Sequence, residues 1–477
     1  MAKNTGNGSR IGSVKNRTQV LNTKTDRYVK RDTTTGQFIN QKSDDKPFKL
    51  NTSATVRIEI FKNLANTKIN LFEAFTVIIG TNGSGKSNLI EAIELLSFIA
   101  NGGLLHEITD IGQGGKQEIR GGLHACTRHQ KDFFSLGFEG KIESEHKTVD
   151  FKYNISIHTS SSYPYVHEEK LSFDDKPLFK TADSTLHFHT IEYNNFAQGG
   201  NKPQVSISST QSACSQYKAF AVKNKKLPDY SMLVDTIKTY LQALFIFDPN
   251  PKFTRNYERI GNQVLAKNGA NISAVLYGLS KGTDEEKQSL QRLLQWIQQL
   301  PDEPFENFEF VVVKELNDVI FGFKAHETGE LISAKVLSDG TLRCLAVLTA
   351  LETVKTGSRI IIEEFDNGLH PSRVKILVQA IGDCCKRRNL NVLVTTHNPA
   401  TLNELSIEQL DSVVLCHWNK QDHASNLLRL SDLPYHDELL SRGQLGDLVT
   451  RQVVDTYLAP NFEQERKEKA LAWLANF

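Results

Sequence analysis

No stretch of this 477-residue chain approaches the roughly 18–20 uninterrupted apolar residues that a membrane-spanning helix needs. The amino terminus, Met1-Ala2-Lys3-Asn4-Thr5-Gly6, never reaches an apolar h-region, which argues against secretion. Cysteine is sparse. The six residues, at 126, 214, 344, 384, 385 and 416, show no CxxC spacing, and Cys384 and Cys385 are adjacent, too close for a relaxed disulfide. That argues against a cysteine metal site or disulfide framework and makes a reducing cytoplasm the expected compartment. Internal repeats and low-complexity tracts are missing too. A composition of 39% hydrophobic and 23% charged residues excludes collagen, a coiled-coil rod and a wholly disordered chain. What is left is a globular chain of two or three domains, long enough for a sizeable core.

The net charge of +1 hides an asymmetry. Residues 1–50 hold 11 Lys/Arg against 4 Asp/Glu, a net of +7, and the remainder holds 45 against 51, a net of −6. The first segment is rich in Asn, Thr, Gly and Ser and poor in apolar residues, which reads as a flexible basic arm. It could touch nucleic-acid phosphates, or simply be a solvated tail.

After the arm, Thr55-Val56-Arg57-Ile58-Glu59-Ile60-Phe61 alternates like a half-buried strand. Ala74 to Ile79 is almost wholly apolar, as expected of a strand buried on both faces, and runs through a glycine-rich turn into an apolar-periodic helix, Asn88 to Ile99. Residues 100–125 are glycine-dense and read as loop. Short alternating runs follow, such as Phe133–Phe138, Val149–Ile157 and Leu186–Ile191, and predict antiparallel strands. Residues 215–300 turn helical, and strands resume at Phe308–Val313 and Val319–Phe323. The last 140 or so residues alternate helix with apolar strand, the pattern of a parallel sheet in a layered α/β architecture.

The chemistry concentrates in four places. Gly80-Thr81-Asn82-Gly83-Ser84-Gly85-Lys86-Ser87 fits GxxxxGK[ST] at every fixed position, between a strand and a helix. Glycines let backbone N–H groups close around phosphate oxygens, and the helix start adds its positive dipole end. Lys86 would pair with the β and γ phosphates of a nucleotide, and the Ser87 hydroxyl would ligate Mg²⁺. At average residue frequencies such a match arises by chance about 2% of the time in a chain of this length. Second, Arg359-Ile360-Ile361-Ile362 delivers Glu363 and Glu364 at the carboxyl end of a strand, where open α/β sheets bind ligands. One carboxylate can hold Mg²⁺ while its neighbour orients or deprotonates the attacking water. Alone, that pair could equally face solvent.

Third, Val392–Thr396 is another buried-strand run, ending in His397-Asn398-Pro399. His397 could sense a γ-phosphate, or be structural. Fourth, Leu337-Ser338-Asp339-Gly340-Thr341-Leu342-Arg343 opens a helix reaching about Lys355, placing Ser338 and Gly340 at a helix N-terminus. By itself that could be an ordinary cap.

In this order, the set resembles the ABC-type ATPase heads, in the branch shared with SMC, Rad50 and RecF proteins. More narrowly it resembles the AAA15/AAA_21 ATPases of bacterial anti-phage systems such as Septu, PARIS and certain retrons. The resemblance covers about 55–125 and 305–450. It implies a P-loop ABC-type head, a mixed sheet with helices, carrying an inserted β-then-α region. The domains would then be the basic arm 1–50, a first ATPase lobe 51–125, the insertion 126–304, a second lobe 305–450 and a helical tail 451–477. It implies a Walker A loop binding ATP through Gly80, Asn82, Gly83, Ser84, Gly85, Lys86, Ser87 and Asn88, and a signature turn contributing Ser338 and Gly340. It also implies a Walker B strand with Glu363 beside Mg²⁺, Glu364 as catalytic carboxylate and His397 as switch histidine. Three departures from transporters stand out: Asp339 replaces a signature glycine, Glu363 replaces the Walker B aspartate, and Lys86 lies 252 residues before Ser338. The long separation argues against transport. Gln113 and Gln117 are the candidates for a Gln-loop.

The family mechanism places each nucleotide between two protomers, so one copy of each motif demands a homodimer or a higher even oligomer. Only 80 residues follow His397, with one more expected strand at Ser412–Cys416; that is too short for an appended Toprim nuclease, and no HNH pattern is present. The expected function is therefore an ATP-hydrolysing defence subunit that regulates a separate nuclease or toxin chain. The alternatives are a RecF-like repair ATPase gripping DNA through the insertion and the basic arm, or a scaffold that binds ATP and barely turns it over.

Overall fold

The computed structural model describes residues 54–475 except 71–72, 129–130, 145–146, 160–162, 302, 304 and 460, together with the backbone of five short strands within residues 1–53. Three of those early strands, Arg17–Asn22, Arg27–Asp32 and Phe38–Gln41, pair as an antiparallel meander. The rest of the basic arm lies outside the described residues, and with it the expectation of flexibility. Among the described residues no helix is long and apolar enough to cross a membrane, and all six cysteines are free and buried.

A 14-stranded sheet organises the chain. At one end five strands run parallel, in the order Leu244–Phe247, Arg359–Ile362, Asn391–Thr396, Phe75–Ile79 and Val413–Asn419. Next come Ala424–Arg429, antiparallel to its neighbour, and the hairpin Leu64–Asn70 with Thr55–Phe61. From Thr55–Phe61 the sheet continues as an antiparallel meander through Phe133–Ser144, Lys147–His158, Tyr165–Phe173, Lys176–Ser184, His189–Tyr193 and Gln204–Ile207. Residues 126–304 therefore do not stand apart from the ATPase lobes: their first strands prolong the sheet beyond Thr55–Phe61, and Leu244–Phe247 forms its far edge. The run Leu186–Ile191, expected as strand, is paired only from His189 onward.

Strands buried on both faces need apolar residues at every position, and the parallel strands show why. Val77, Ile79, Ile360, Ile362, Val392 and Val394 enter one core with the helices Ile272–Lys281, Asp284–Gln298, Asp339–Thr353 and Pro371–Arg388. Their alternates Ile78, Ile361 and Leu393 enter a second core with the helices Lys86–Ala100, Ala213–Phe220 and Leu227–Gln242. The first core is fastened by Glu352, buried on the Asp339–Thr353 helix and paired with Arg292 at 3.2 Å and with Arg387, one from each neighbouring helix. A second, four-stranded sheet built on Phe305–Val313 and Asp318–Ala325 packs into the same core.

The second core holds an ionisable group the sequence does not advertise. Glu169 is fully buried on Tyr165–Phe173, where its carboxyl accepts the N–H groups of Cys214 (2.8 Å) and Ala213 (2.5 Å) at the start of a helix and the Tyr153 hydroxyl (3.0 Å). Burial pushes it up to about 7, against those three hydrogen bonds. A carboxyl raised in the folded state holds its proton longer than in the unfolded chain. Its contribution to stability is full below the unfolded value near 4.5 and is lost as pH rises to about 7. Glu169→Gln removes the charge and keeps one acceptor oxygen, so one of the two helix N–H groups, which bind different carboxyl oxygens, loses its partner at every pH. The variant's stability relative to the parent is expected to rise by up to about 3 kcal/mol between pH 4 and pH 8, on top of a pH-independent loss from the missing hydrogen bond. Denaturant melts of both proteins across that range check it.

Candidate functional site

The parallel register puts the ends of four strands side by side. Ile79 opens into the glycine loop, Thr396 leads to His397, Ile362 to Glu363 and Glu364, and Phe247 to Asp248. In space the His397 strand lies between the glycine-loop strand and the carboxylate strand. All these groups sit at the carboxyl edge of the sheet, the position from which such sheets bind ligands.

The loop is tight for stated reasons. A Cβ on Gly80 would stand 2.3 Å from the Cys416 carbonyl oxygen. Gly85 caps the Lys86–Ala100 helix with φ 112°, outside the comfortable range of other residues, and a side chain there would also strike Ser425 at 2.9 Å. The Ser84 N–H closes the turn onto the Thr81 carbonyl at 3.1 Å, and the Ser84 hydroxyl is buried without a partner among the described residues. Thr81, Asn82 and Gly83 are exposed. Lys86 is only 7% exposed, and its ammonium donates to the carbonyls of Gly80 (2.6 Å) and Thr81 (3.1 Å). Burial lowers its pKa, opposed in part by Cys416 and Glu364. A cation held by its own loop at a helix start, beside an orphaned hydroxyl, has the chemistry to take an anion.

Ser87 stands near Glu363, where its hydroxyl favours the charged carboxylate. Burial pushes Glu363 up to about 7, reinforced by Asp248 and opposed by Lys267, Ser87 and Arg120. Hydroxyl and carboxylate oxygens are hard donors of the kind Mg²⁺ takes, one or two from protein with the rest from water and phosphate. Among the described residues no cluster of three or more His, Cys, Asp or Glu forms a self-sufficient metal site, so a cation here would rely on the phosphates. The residues present fit the ion.

Glu364 occupies the left-handed region, φ 42°, a conformation costing on the order of 1–3 kcal/mol for a non-glycine residue. Three contacts hold it there. Its N–H donates to Thr395 Oγ1 (3.0 Å), its carbonyl accepts from Arg343 (3.2 Å), and its Oε2 accepts from Asn367 (3.1 Å). His397 Nδ1 lies 3.6 Å from Oε1. Two residues on, the buried Asp366 accepts hydroxyl bonds from Thr396 (2.7 Å) and Thr401, tying this turn to the His397 strand.

Asn88 is engaged elsewhere. It donates to Asn63 (2.6 Å) and accepts from Arg120 (2.9 Å), which also binds Glu91 (2.6 Å). Gln113 is exposed, and Gln117 lines a cleft of about 320 Å³ with Glu94, Ser97, Phe98 and Lys267 along the edge strand. Among the described residues no hydrogen bond or ion pair joins Ser338 or Gly340 to the glycine loop. Ser338 is exposed and caps the Asp339–Thr353 helix, its hydroxyl accepting the Thr341 N–H at 3.1 Å. Gly340 faces Leu369 and Arg373, and Arg373 bridges Thr341 (3.0 Å) and Glu303 (2.8 Å).

Asp248 was not anticipated. It follows Leu244-Phe245-Ile246-Phe247, beside Glu363, whose N–H donates to the Phe247 carbonyl at 3.1 Å. Burial raises its pKa, with Arg343 and Lys267 opposing and Glu364 adding. The signal was present: a short apolar run ending in an acid, as at Ile362-Glu363, inside a region read as helical.

Solved structures similar to the chain include the SMC head bound to the C-winged helix domain of ScpA (12% identity, TM-score 0.45, covering 79% of this chain and 97% of that one). Another is the SMC head domain from Thermotoga maritima (11%, TM-score 0.38, covering 79% and 97%). A Helicobacter pylori protein named "ATP/GTP phosphatase" is 26% identical over 372 residues, covering 76% of this chain and 88% of that protein. The family model AAA_21, described as "AAA domain, putative AbiEii toxin, Type IV TA system", matches residues 75–403. That span takes in the glycine loop, both carboxylates and His397, and the chain belongs to the AAA_21 family as an ATP-binding, ATP-hydrolysing AAA domain.

Proposed function

We propose that this chain is the ATPase subunit of a bacterial anti-phage defence complex, in which two copies clasp ATP head to tail and nucleotide state controls a separate nuclease or toxin chain. One observation carries the dimer. The glycine loop, Glu363, Glu364 and His397 share one sheet edge, whereas Ser338 stands exposed on a helix start whose hydrogen-bond partners, among the described residues, lie outside residues 80–87. Each copy thus holds a phosphate cradle and a loose cap, and a second copy supplies the missing half. The toxin–antitoxin wording of the family description and the phosphatase name of the relative support the setting and the reaction.

In this reading the loop amides and Lys86 bind the β and γ phosphates, while Glu364 takes a proton from the attacking water. Ser87 and Glu363 would hold Mg²⁺, which offsets charge on the transferring phosphoryl group. His397, whose Nδ1 lies 3.6 Å from Glu364 Oε1, would orient that carboxylate. The partner's Ser338 and Gly340 close the site, so hydrolysis reports assembly. Sizing by light scattering with and without ATP tests this. The protein is expected to double in mass on adding ATP and Mg²⁺, and Ser338→Arg to bind ATP yet stay monomeric. A Ser338→Arg protein that still doubles in mass rules the head-to-tail arrangement out. Co-purification with the product of the adjacent gene tests the effector.

A further inference from the structure

The signature turn carries an acid in a place where negative charge is costly. Asp339 is the first residue of the Asp339–Thr353 helix, between Ser338 and Gly340, and its side chain is 75% exposed. An acid suits a helix start, which accounts for it in the isolated protomer. Set against a triphosphate, the same carboxylate repels.

It is not left bare. The Arg255 guanidinium pairs with the Asp339 carboxylate and also donates to the carbonyls of Lys335 (3.1 Å), Leu337 (3.3 Å) and Pro251 (3.2 Å). One planar fork thus grips the backbone just before the turn and the acid inside it. The neighbouring cation, Lys335, is directed elsewhere, with its ammonium 5.1 Å from the Tyr257 ring centre. Among the described residues Arg255 is the ion-pair partner of Asp339. Arg255 is itself held firmly. It ends the segment Asp248-Pro249-Asn250-Pro251-Lys252-Phe253-Thr254-Arg255, stiffened by two prolines and by Asn250, whose side chain accepts the Lys252 N–H at 3.1 Å. That segment begins at Asp248, beside Glu363.

We infer that Arg255 is a positioning residue for the composite ATP site: by neutralising Asp339 and pinning the turn, it lets Ser338 and Gly340 approach the partner's triphosphate. The inference rests on the head-to-tail reading above and adds to it the residue that makes an acidic signature tolerable.

The test uses full-length protein in the Glu364→Gln background, with ATP-driven dimerisation followed by sedimentation and ATP binding to the dilute monomer followed by a fluorescent ATP analogue. Arg255→Gln is expected to weaken dimerisation by roughly 10-fold or more, as an uncompensated like charge at an interface does. Its monomer is expected to take up the analogue as the parent does, because the partners of the Arg255 guanidinium among the described residues, Pro251, Lys335, Leu337 and Asp339, lie outside the glycine loop. Adding Asp339→Asn to Arg255→Gln removes the repulsion and should restore at least half of the lost dimer, and Asp339→Asn alone should dimerise at least as well as the parent. A merely structural arginine would give no such rescue. Parent-like dimerisation by Arg255→Gln, or a loss that Asp339→Asn leaves unrepaired, overturns the inference. Failure of the parent itself to dimerise with ATP would instead remove the head-to-tail reading, and this inference with it.

Discussion

Replacing Lys86 with alanine is expected to abolish ATP binding. The lysine is buried against carbonyls of its own loop, its charge disfavoured by desolvation and supported in part by Glu364. A buried cation with such weak compensation gains most when a phosphate arrives. Truncating one partner of a buried, hydrogen-bonded charge pair costs about 2–5 kcal/mol, so affinity should fall at least ~30-fold. The folded state should survive, because the alanine removes a desolvated charge along with two hydrogen bonds. Calorimetric titration with ATP decides the first point and a thermal melt the second. Affinity within threefold of the parent would mean that the loop does not bind the triphosphate through this residue.

The second large effect is expected at Glu364. Glutamine has the same shape, so the strained turn should persist: the Glu364 N–H still meets Thr395 and its carbonyl still receives Arg343. The amide oxygen can take the bond from Asn367 and the amide nitrogen can face His397. What is lost is the ability to accept a proton from water. General-base catalysis is worth about 10²–10⁴-fold, so kcat should drop by at least ~100-fold while ATP binding stays intact and the ATP-bound dimer accumulates. Phosphate release under single-turnover conditions, together with sizing, measures both. Unchanged turnover would exclude Glu364 as the catalytic carboxylate. Glu363→Gln makes a useful contrast: it leaves Glu364 in place and removes the charge that Ser87 and Mg²⁺ would share, so its defect should ease as Mg²⁺ is raised.

Much of the site was legible because its pieces are local. The glycine loop is eight consecutive residues whose backbone conformation depends on Gly83 and Gly85 and on the helix that follows. Glu363 and Glu364 are announced by the apolar run before them, and Ser338 by the cap it forms three residues from Thr341. Apolar strands at Phe75, Arg359 and Asn391 were readable because burial on both faces demands uninterrupted hydrophobicity. Less was readable between 126 and 304. There, alternating strands identify a meander but not the sheet it joins. Leu244–Phe247, only four residues long between helices, was absorbed into the helical pattern, and Asp248 and Arg255 were missed with it.

The amino-acid sequence by itself determined which reactive groups this protein owns and the local backbone that displays each of them. Only the tertiary structure decided their neighbours: His397 between loop and carboxylates, Asp248 beside Glu363, and Arg255 upon Asp339. The physical reason is range. Caps, turns and strand alternation arise from interactions within a few residues, whereas strand order and side-chain pairing come from sheet register and core packing between segments up to hundreds of residues apart, which no local pattern encodes.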